Sequence, residues 1–205
     1  MKKIVMMMAV IAGLTCVSLA EETNRPFSVG LKVWNASTSW NGEEALLYGP
    51  LVGMELSNNI WISAMGTFGT VVNAKEADAE IVLGRTFRLF DAGIGMRYIS
   101  TTFHHNFIDF WGIYHSSTVQ RYGYGPMLYV GTGSTFGNAP IGWYAGGSLV
   151  PVTFGTADKA SHANLEGGLY GSWDRWMVTL GYRFKRWLDS DSDEKGVTAS
   201  VAFKF

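Results

Sequence analysis

The chain has 205 residues, of which 16% are charged and 14% are aromatic, and its net charge is −1. This balance excludes a strongly basic surface for nucleic acid, and the length predicts a single domain. Glycine is abundant, with 25 residues. Few charges together with many aromatic residues and glycines are typical of a β-barrel in lipid or of a compact all-β protein.

The first twenty residues are organised like a secretory signal peptide. A basic start is followed by an apolar run over residues 4–19, with the small residues Ser18 and Ala20 at positions −3 and −1 of a cleavage site. The pattern predicts cleavage after Ala20 and a mature domain over residues 21–205. A retained membrane anchor is the alternative, although the run is short for a span. The only cysteine, Cys16, lies in this segment, so we expect no disulfides in the mature domain.

After the signal segment, apolar and polar residues alternate in repeated stretches. In the first stretch Val29, Leu31 and Val33 share one parity, whereas Lys32 has the other. A period of two predicts β-strands with one apolar face and one polar face. The predicted strands are Phe27–Ser37, Leu46–Ser57, Ile60–Thr70, Ala79–Phe87, Asp91–Thr102, Thr118–Gly131, Ile141–Thr153, Ala163–Trp173, Trp176–Leu188 and Val197–Phe205.

These ten strands are each close to the ~9–11 residues that cross a bilayer at a tilt. No later apolar run reaches the length of a transmembrane helix, so a chain that enters lipid must close into a barrel. We therefore predict an all-β fold, a transmembrane antiparallel up-and-down β-barrel of about ten strands. Eight strands are the alternative, because Ala79–Phe87 alternates weakly.

The predicted connections alternate between short turns and longer polar loops. We expect polar loops at Asn73–Asp78, Gly155–His162 and Asp189–Lys195, whereas the turn at Thr132–Pro140 is long for its side of the barrel. Two prolines fall inside strands and remove ladder hydrogen bonds, which predicts a bulge or a kink at each. These prolines are Pro50 and Pro126.

Ionisable residues in the strands fall almost entirely on the polar parity. The exception on the apolar parity is Arg85, near a strand end where its head group reaches polar surroundings. The polar parity is predicted to line the barrel interior. The predicted lumen residues are Lys32, Glu55, Glu80, Arg97, Arg121, Glu166, Arg183 and Lys185.

The last stretch, residues 197–205, alternates and ends on an aromatic residue. It resembles the C-terminal strand of Gram-negative outer-membrane β-barrel proteins, which typically end in phenylalanine. The resemblance implies a multi-pass location in the cell outer membrane, with lipid and lipopolysaccharide as surroundings, and insertion by the barrel-assembly machinery. The residues expected to carry the assembly signal are Val201, Phe203 and Phe205.

Aromatic residues flank the apolar bands of several strands. In a membrane barrel such residues form girdles at the two interfaces. The predicted girdle consists of Phe27, Tyr98, Trp143, Trp173, Trp176, Phe184 and Phe205.

The composition of the predicted interior favours a small passive channel. On that face Lys and Arg outnumber Glu, and many glycines leave space, which predicts passage of polar or weakly anionic solutes. The alternative is a plugged barrel in which inward charges pair, for example Arg183 with Glu166, leaving a structural or adhesin-like surface role. The apolar loop predicted at Phe103–Ser117 is the expected surface for binding, unless it extends two strands above the membrane.

Enzymatic alternatives rest on the same loop. A lipid A deacylase of the small-barrel type would use a His-x-Ser pair, which His115 and Ser117 match in spacing. A rim protease would use His104, Asp109 and His115. Because these side chains are predicted to be solvated in a loop, we expect no enzymatic activity.

We also expect no cofactor and no metal site. His104 and His105 are adjacent on an extended chain, so their side chains point apart. The aspartates at 189, 191 and 193 resemble a calcium loop in spacing, but the sixth position is Glu194 rather than glycine.

Overall fold

A computed structural model describes residues 27–38, 44–57, 59–71, 74–108, 114–156, 161–190 and 192–205. These residues form one antiparallel sheet, and the predicted signal peptide and its cleavage site lie outside them. The strands are β1 (Phe27–Thr38), β2 (Glu44–Ser57), β3 (Ile60–Val71), β4 (Ala74–Thr86), β5 (Asp91–Ile108), β6 (Tyr114–Thr135), β7 (Ile141–Val150), β8 (Phe154–Gly155), β9 (His162–Trp173), β10 (Trp176–Trp187) and β11 (Asp193–Lys204).

The sheet closes on itself as a barrel of ten strands. Sequence neighbours pair from β1 to β7 and from β9 to β11, β7 pairs with β9, and β1 pairs with β11 from Ser28–Lys204 to Thr38–Glu194. The two-residue β8 adds to the edge of β6. We call the end that holds Phe27 and Phe205 the lower end, and the end that holds Thr38 the upper end. The predicted ten-stranded antiparallel barrel is confirmed.

The eight-stranded alternative is wrong because β4 is a full strand. It has 13 residues and pairs along its whole length with β3 and β5. Its alternation looked weak because alanines occupy much of its outer face and acidic residues occupy much of its inner face. The predicted loop at Asn73–Asp78 is therefore wrong, since β4 already begins at Ala74.

Side chains alternate between the outside and the inside of the barrel as the period of two predicts. On the outside, Leu31 is 61% exposed and Leu180 is 59% exposed, whereas the inward Trp34 and Lys185 are fully buried. Apolar residues outside and ionic residues inside reverse the distribution of a water-soluble protein. They match the strand pattern of a transmembrane barrel.

The outer face carries a few charges, and all of them lie near strand ends. Arg85 lies near the lower end, as predicted. Lys75, Arg186 and Lys195 are exposed near the upper end. Arg85 is therefore not the only ionisable residue on the outer parity, because Arg186 also has that parity within its strand.

Strands extend further at the upper end than the sequence predicts. The acidic loop predicted at Asp189–Lys195 is wrong in its second half, because β11 begins at Asp193. The loop predicted at Phe103–Ser117 is also wrong in extent, since β5 and β6 stay paired up to Ile108 and Tyr114. The two strands of this hairpin therefore extend beyond the end of β4, as the alternative of two extended strands predicts, and residues 109–113 lie outside the described ranges.

The prolines interrupt pairing in different ways. The β2–β3 ladder omits Gly49 and Pro50 but resumes in the same register, and its register shift lies between Glu55 and Ser57 instead. Pro126 lies between the part of β6 that pairs with β8 and the part that pairs with β7. The expected bulge at Pro50 is thus an interruption of the ladder, which is the direct consequence of its missing N–H.

The approach of β2 to β3 generates a stability prediction. A Cβ at Gly49 would overlap the backbone carbonyl of Gly66, whereas a Cβ at Gly66 would meet no atom within 4 Å. We expect Gly49→Ala to lower the free energy of unfolding by about 1–3 kcal/mol, because backbone must move to accommodate it. Urea unfolding of the refolded barrel in lipid vesicles measures the change.

Gly66→Ala is the matched control on the facing strand. We expect its effect to stay within ~0.5 kcal/mol, as for an unhindered surface substitution. Equal destabilisation by the two variants would contradict the close approach.

Candidate functional site: the ionic network and the lumen cavity

Charged side chains from opposite walls meet inside the upper half of the barrel. In the ring of ten strands β4 and β10 are separated by four strands in either direction, so they face each other across the lumen. Lys185 of β10 places its Nζ 3.0 Å from Glu76 Oε1 and 3.9 Å from Asp78 Oδ2, both on β4. The same Nζ lies 3.1 Å from Glu194 Oε2 on the adjacent β11. The Lys185 side chain is fully buried, so these contacts span the lumen.

Two arginines extend the arrangement. Arg97 on β5 donates from Nε and Nη2 to the two carboxylate oxygens of Asp78, with 2.7 Å between Nε and Oδ1, and its Nη1 lies 3.0 Å from Glu80 Oε2. Arg183 on β10 has its Nη2 4.0 Å from Asp78 Oδ2, and its guanidinium stacks 4.9 Å from the Trp34 ring centre. Asp78 is thus shared by three cations that come from two walls.

We define the ionic network as these seven residues. Removing charges from water is costly, and each charge is tolerated only because opposite charges and hydrogen bonds surround it. Beside the network, Trp34 and Leu47 pack with the small residues Ala36 and Ala45 in a buried cluster of β1 and β2. The members of the network are Glu76, Asp78, Glu80, Arg97, Arg183, Lys185 and Glu194.

A cavity of about 210 Å³ lies beneath the ionic network. It reaches from the level of Arg183 down to Asp91 and Thr132 near the lower turns. Aromatic residues from four strands line it, and Trp61 and Tyr129 meet edge to face with ring centres 5.7 Å apart. The aromatic residues that line it are Trp61, Tyr129, Tyr144 and Tyr170.

A second ion pair lies at the upper margin of the cavity. Lys32 on β1 donates to Glu166 Oε2 on β9 at 2.5 Å, and the Tyr144 hydroxyl donates to Glu166 Oε1 at 3.2 Å. Glu166 therefore pairs with Lys32. Arg183, the partner that the sequence suggested, faces Glu166 on the neighbouring β10, and its charge acts on the carboxylate, although Lys32 makes the salt bridge.

The remaining predicted lumen residues lie apart from the network. Glu55 is partly exposed on the inner parity of β2 near the lower end, and Arg121 is exposed in the upper part of β6. Of the predicted set, the structure brings together Glu80, Arg97, Arg183 and Lys185 in the network, with Lys32 and Glu166 at the cavity margin.

Sequence reasoning missed four inward acids, three of which lay in predicted loops and one, Asp91, at a strand start. Glu76, Asp78 and Glu80 recur at every second position, which is the spacing of one strand face and was the signal that could have placed them. With Asp91 and Glu194 added, inward acids outnumber inward bases. The excess of Lys and Arg from which the anion preference was inferred is therefore reversed.

The predicted girdle residues lie on the outer surface, and five of them form a band near the lower end. Tyr98 is exposed in the middle of β5, and Phe184 is partly exposed near the upper end of β10. The others are near the lower end, where Phe27 and Phe205 have ring centres 5.7 Å apart and Phe203 contacts both Trp176 and Phe205. The lower band consists of Phe27, Trp143, Trp173, Trp176 and Phe205.

The histidines of the enzymatic alternatives lie on strands. His104 and His105 belong to β5, and His115 belongs to β6, where it pairs with Phe107. Their side chains and Asp109 are outside the described part of the chain. Among the described residues, no three His, Cys, Asp or Glu side chains are grouped to hold a metal ion. The described residues also contain no helix long and apolar enough to span a membrane.

The fold and interior define the class of architecture, a closed barrel with an apolar exterior and an ionic interior, as in outer-membrane barrels. No protein-family model matches the chain, and no curated protein matches it. Solved structures with a similar fold include the N-terminal β-barrel domain of Pseudomonas aeruginosa OprF, at 10% identity and a TM-score of 0.40, covering 87% of this chain and 97% of that one.

Two further solved structures have similar scores. The NanC porin is 13% identical with a TM-score of 0.44, and the match covers 85% of this chain and 100% of NanC. LpxR from Salmonella typhimurium is 10% identical with a TM-score of 0.43, covering 87% of this chain and 100% of LpxR. At these identities and scores, the similarity does not support an inference about the activity of this chain.

The network predicts an asymmetric response to substitution. We expect Lys185→Met to lower the free energy of unfolding by about 3–5 kcal/mol, because Glu76, Asp78 and Glu194 would lose their shared cation in a buried site. Adding Glu76→Gln should recover part of the loss. Tryptophan fluorescence during urea unfolding in vesicles measures both.

Lys75→Met is the control, because Lys75 precedes Glu76 near the upper end of β4 but is exposed on the outer face of the barrel. A Lys185→Met barrel as stable as the Lys75→Met barrel would show that the network does not hold the two walls together.

Proposed function

We propose that this protein is an integral outer-membrane barrel whose lumen is closed to free diffusion in its resting state. Its role would then be structural or would consist of binding at its surface, as in the plugged-barrel alternative. We assign it no enzymatic activity. One observation carries the proposal. The contact of Lys185 with Glu76 crosses the full width of the barrel between fully or nearly fully buried side chains.

Two features support the location in the outer membrane: the exterior of the barrel is apolar, and its strands close into a ring. A barrel leaves no unpaired edge for lipid to meet, and its outer aliphatic side chains match hydrocarbon. Lipid and lipopolysaccharide are accordingly the proposed surroundings. The β5–β6 hairpin, which continues above its neighbours, is the proposed surface for a binding role.

The closed lumen is tested by single-channel recording. We expect the refolded wild-type barrel to be silent or nearly silent in planar bilayers. The double variant Lys185→Ala and Glu76→Ala removes both ends of the crossing contact, so we expect long-lived open events. Glu44→Ala with Lys75→Ala, both exposed near the upper end, is the matched control and should remain silent.

A passive channel for small polar solutes is the second candidate, and the lumen cavity favours it. Wild-type barrels that conduct steadily, at the level of the double variant, would establish this candidate and remove the closed resting state. Because inward acids outnumber bases, such a channel would not be expected to prefer anions.

We propose that the barrel-assembly machinery recognises the terminal strand through Val201, Phe203 and Phe205. Phe205 is 58% exposed, and its ring contacts Phe27 in a tilted arrangement and Phe203 edge to face. We expect Phe205→Ser to lower the fraction of heat-modifiable, folded barrel in outer-membrane preparations. Phe87→Ser is the control, because Phe87 is an exposed aromatic residue in a lower turn. Equal loss in the two variants would mean that general apolarity, rather than the terminal strand, governs assembly.

A further inference from the structure

The barrel wall between β6 and β7 is interrupted in its upper half. The β6–β7 ladder ends at the pair Leu128–Leu149, and the same edge of β6 is next paired at Tyr124, which faces Phe154 of β8. Between these two pairs lie three residues of β6 and four residues of the facing chain, and no ladder rung joins these seven described residues. The register therefore shifts by one residue across the interruption, as at a β-bulge.

The direction of the backbone shows which groups the missing rung would use. On β6 the carbonyl of Ser134 points toward β7, because a Cβ added at Gly142 would overlap it. The N–H of Tyr122 points toward the same edge, since it donates to Thr156 Oγ1 just after β8. In an antiparallel pair, alternate residues turn their N–H and C=O to the same neighbour. The even-numbered residues of β6 thus bond toward β7.

Both residues of the missing rung are prolines. Two residues above the pair Leu128–Leu149, the same register places Pro126 opposite Pro151. A rung of this kind exchanges two N–H···O bonds. Because proline has no backbone N–H, neither of the two bonds can form.

Pro50 on β2 provides a comparison within the same barrel. Its partner in the β2–β3 register is Gly66, which keeps its N–H and turns its carbonyl toward β2, against Gly49. That rung lacks one donor rather than two, and the ladder resumes on both sides in the same register. A single proline is therefore accommodated within a ladder, whereas two facing prolines separate it into two parts.

The missing rung lies between two apolar regions. On the outer surface Leu128 is 55% exposed on one side of it, and Phe154 is 54% exposed on the other. The inward neighbours Met127 and Val150 are 1% and 0% exposed and pack with Trp61 in a buried apolar cluster. Only this stretch of backbone separates the lipid-facing surface from the apolar part of the interior.

The wall is closed at this position in the resting structure. A Cβ at Gly125 would overlap the carbonyl of Val152, so the two chains lie in contact. Packing rather than ladder hydrogen bonds holds them together. Local separation therefore breaks no rung here, whereas at a complete rung it breaks two hydrogen bonds in an apolar medium.

We propose that the Pro126–Pro151 rung is a lateral seam of the barrel wall. At this seam β6 and the chain that follows β7 separate locally and admit an apolar molecule dissolved in the surrounding lipid to the buried cluster around Val150. No residue of the ionic network lies on β6 or β7. Opening of the seam therefore leaves the lumen closed along its axis, so the proposal goes beyond the closed resting state and does not depend on it.

The reaction of a buried thiol with a lipid-dissolved reagent tests the seam. Residues 21–205 contain no cysteine, so Val150→Cys introduces a single thiol into the refolded barrel, and N-(1-pyrenyl)maleimide in the vesicle bilayer is the probe. Leu47→Cys is the control, because Leu47 is 1% exposed but lies in complete ladders with Trp34 and Gly69. We expect Val150→Cys to react at least ~10-fold faster, since its wall opens without breaking a rung. Equal rates would overturn the proposal.

Restoring the missing donors tests whether this rung is the route. Pro126→Val together with Pro151→Val supplies two N–H groups, and we expect it to slow the reaction of Val150→Cys by at least ~10-fold. Pro50→Val is the matched control and should leave the rate unchanged, because its rung is already in register. An unchanged rate in the doubly restored barrel would also overturn the proposal.

Heat-modifiable migration checks that each variant folds. If the doubly restored barrel does not fold, Pro151→Val alone takes its place, because it supplies one of the two donors. We then expect a smaller slowing of about 3-fold or more, the effect of one hydrogen bond, and a rate equal to that of the Pro50→Val barrel would overturn the proposal.

Conductance and labelling separate the seam from the closed lumen. A barrel that conducts but shows labelling that depends on the prolines would overturn the closed resting state and leave the seam intact. A silent barrel in which Val150→Cys and Leu47→Cys react equally would do the reverse.

Discussion

Every backbone N–H and C=O that enters hydrocarbon must find its partner within the protein, and this constraint shapes the whole chain. A helix meets it alone, but strands meet it only by closing into a ring. The pairing of β1 with β11 over the full length of both strands is therefore the contact on which the barrel depends. Without it, two edges would face lipid with their polar groups unpaired.

Closure creates an interior, and the strand period decides what fills it. Because the outward-facing side chains contact lipid, the inward-facing positions can hold any polar residue that has a partner on another wall. Glu76 on β4 and Lys185 on β10 are 109 residues apart in sequence, yet they meet because each strand turns its polar face inward. A buried ion pair is weak evidence for stability by itself. Here the ion pair is one of the contacts that join opposite walls, so it affects the shape of the lumen as well as the stability of the fold.

The strand period could be predicted from the sequence because it depends on local alternation alone. The barrel class, the ten strands and the parity of nearly every strand followed from it. What failed were the upper ends of β4 and β11, where acidic residues such as Asp78 and Glu194 look like loop residues to any local criterion. Their partners, Arg97 and Lys185, lie on other strands, so the compensation that makes these acids compatible with a strand is invisible in a short window. The partner of Glu166 was misjudged for the same reason, because Lys32 reaches it across the lumen rather than along a hairpin.

The inward glycines show why counting small residues does not locate an empty lumen. A Cβ at Gly30 would overlap the carbonyl of Val201, and one at Gly168 would overlap the carbonyl of Leu180. These glycines therefore mark places where neighbouring strands approach each other too closely for a side chain, rather than places where space is left. The cavity lies instead beside Trp61, Tyr129 and Tyr144, large residues that reach inward from separate strands and line a space that they do not fill. In this barrel, the packing of large inward side chains determines where free volume remains. The ion pairs between opposite walls determine where the lumen is closed.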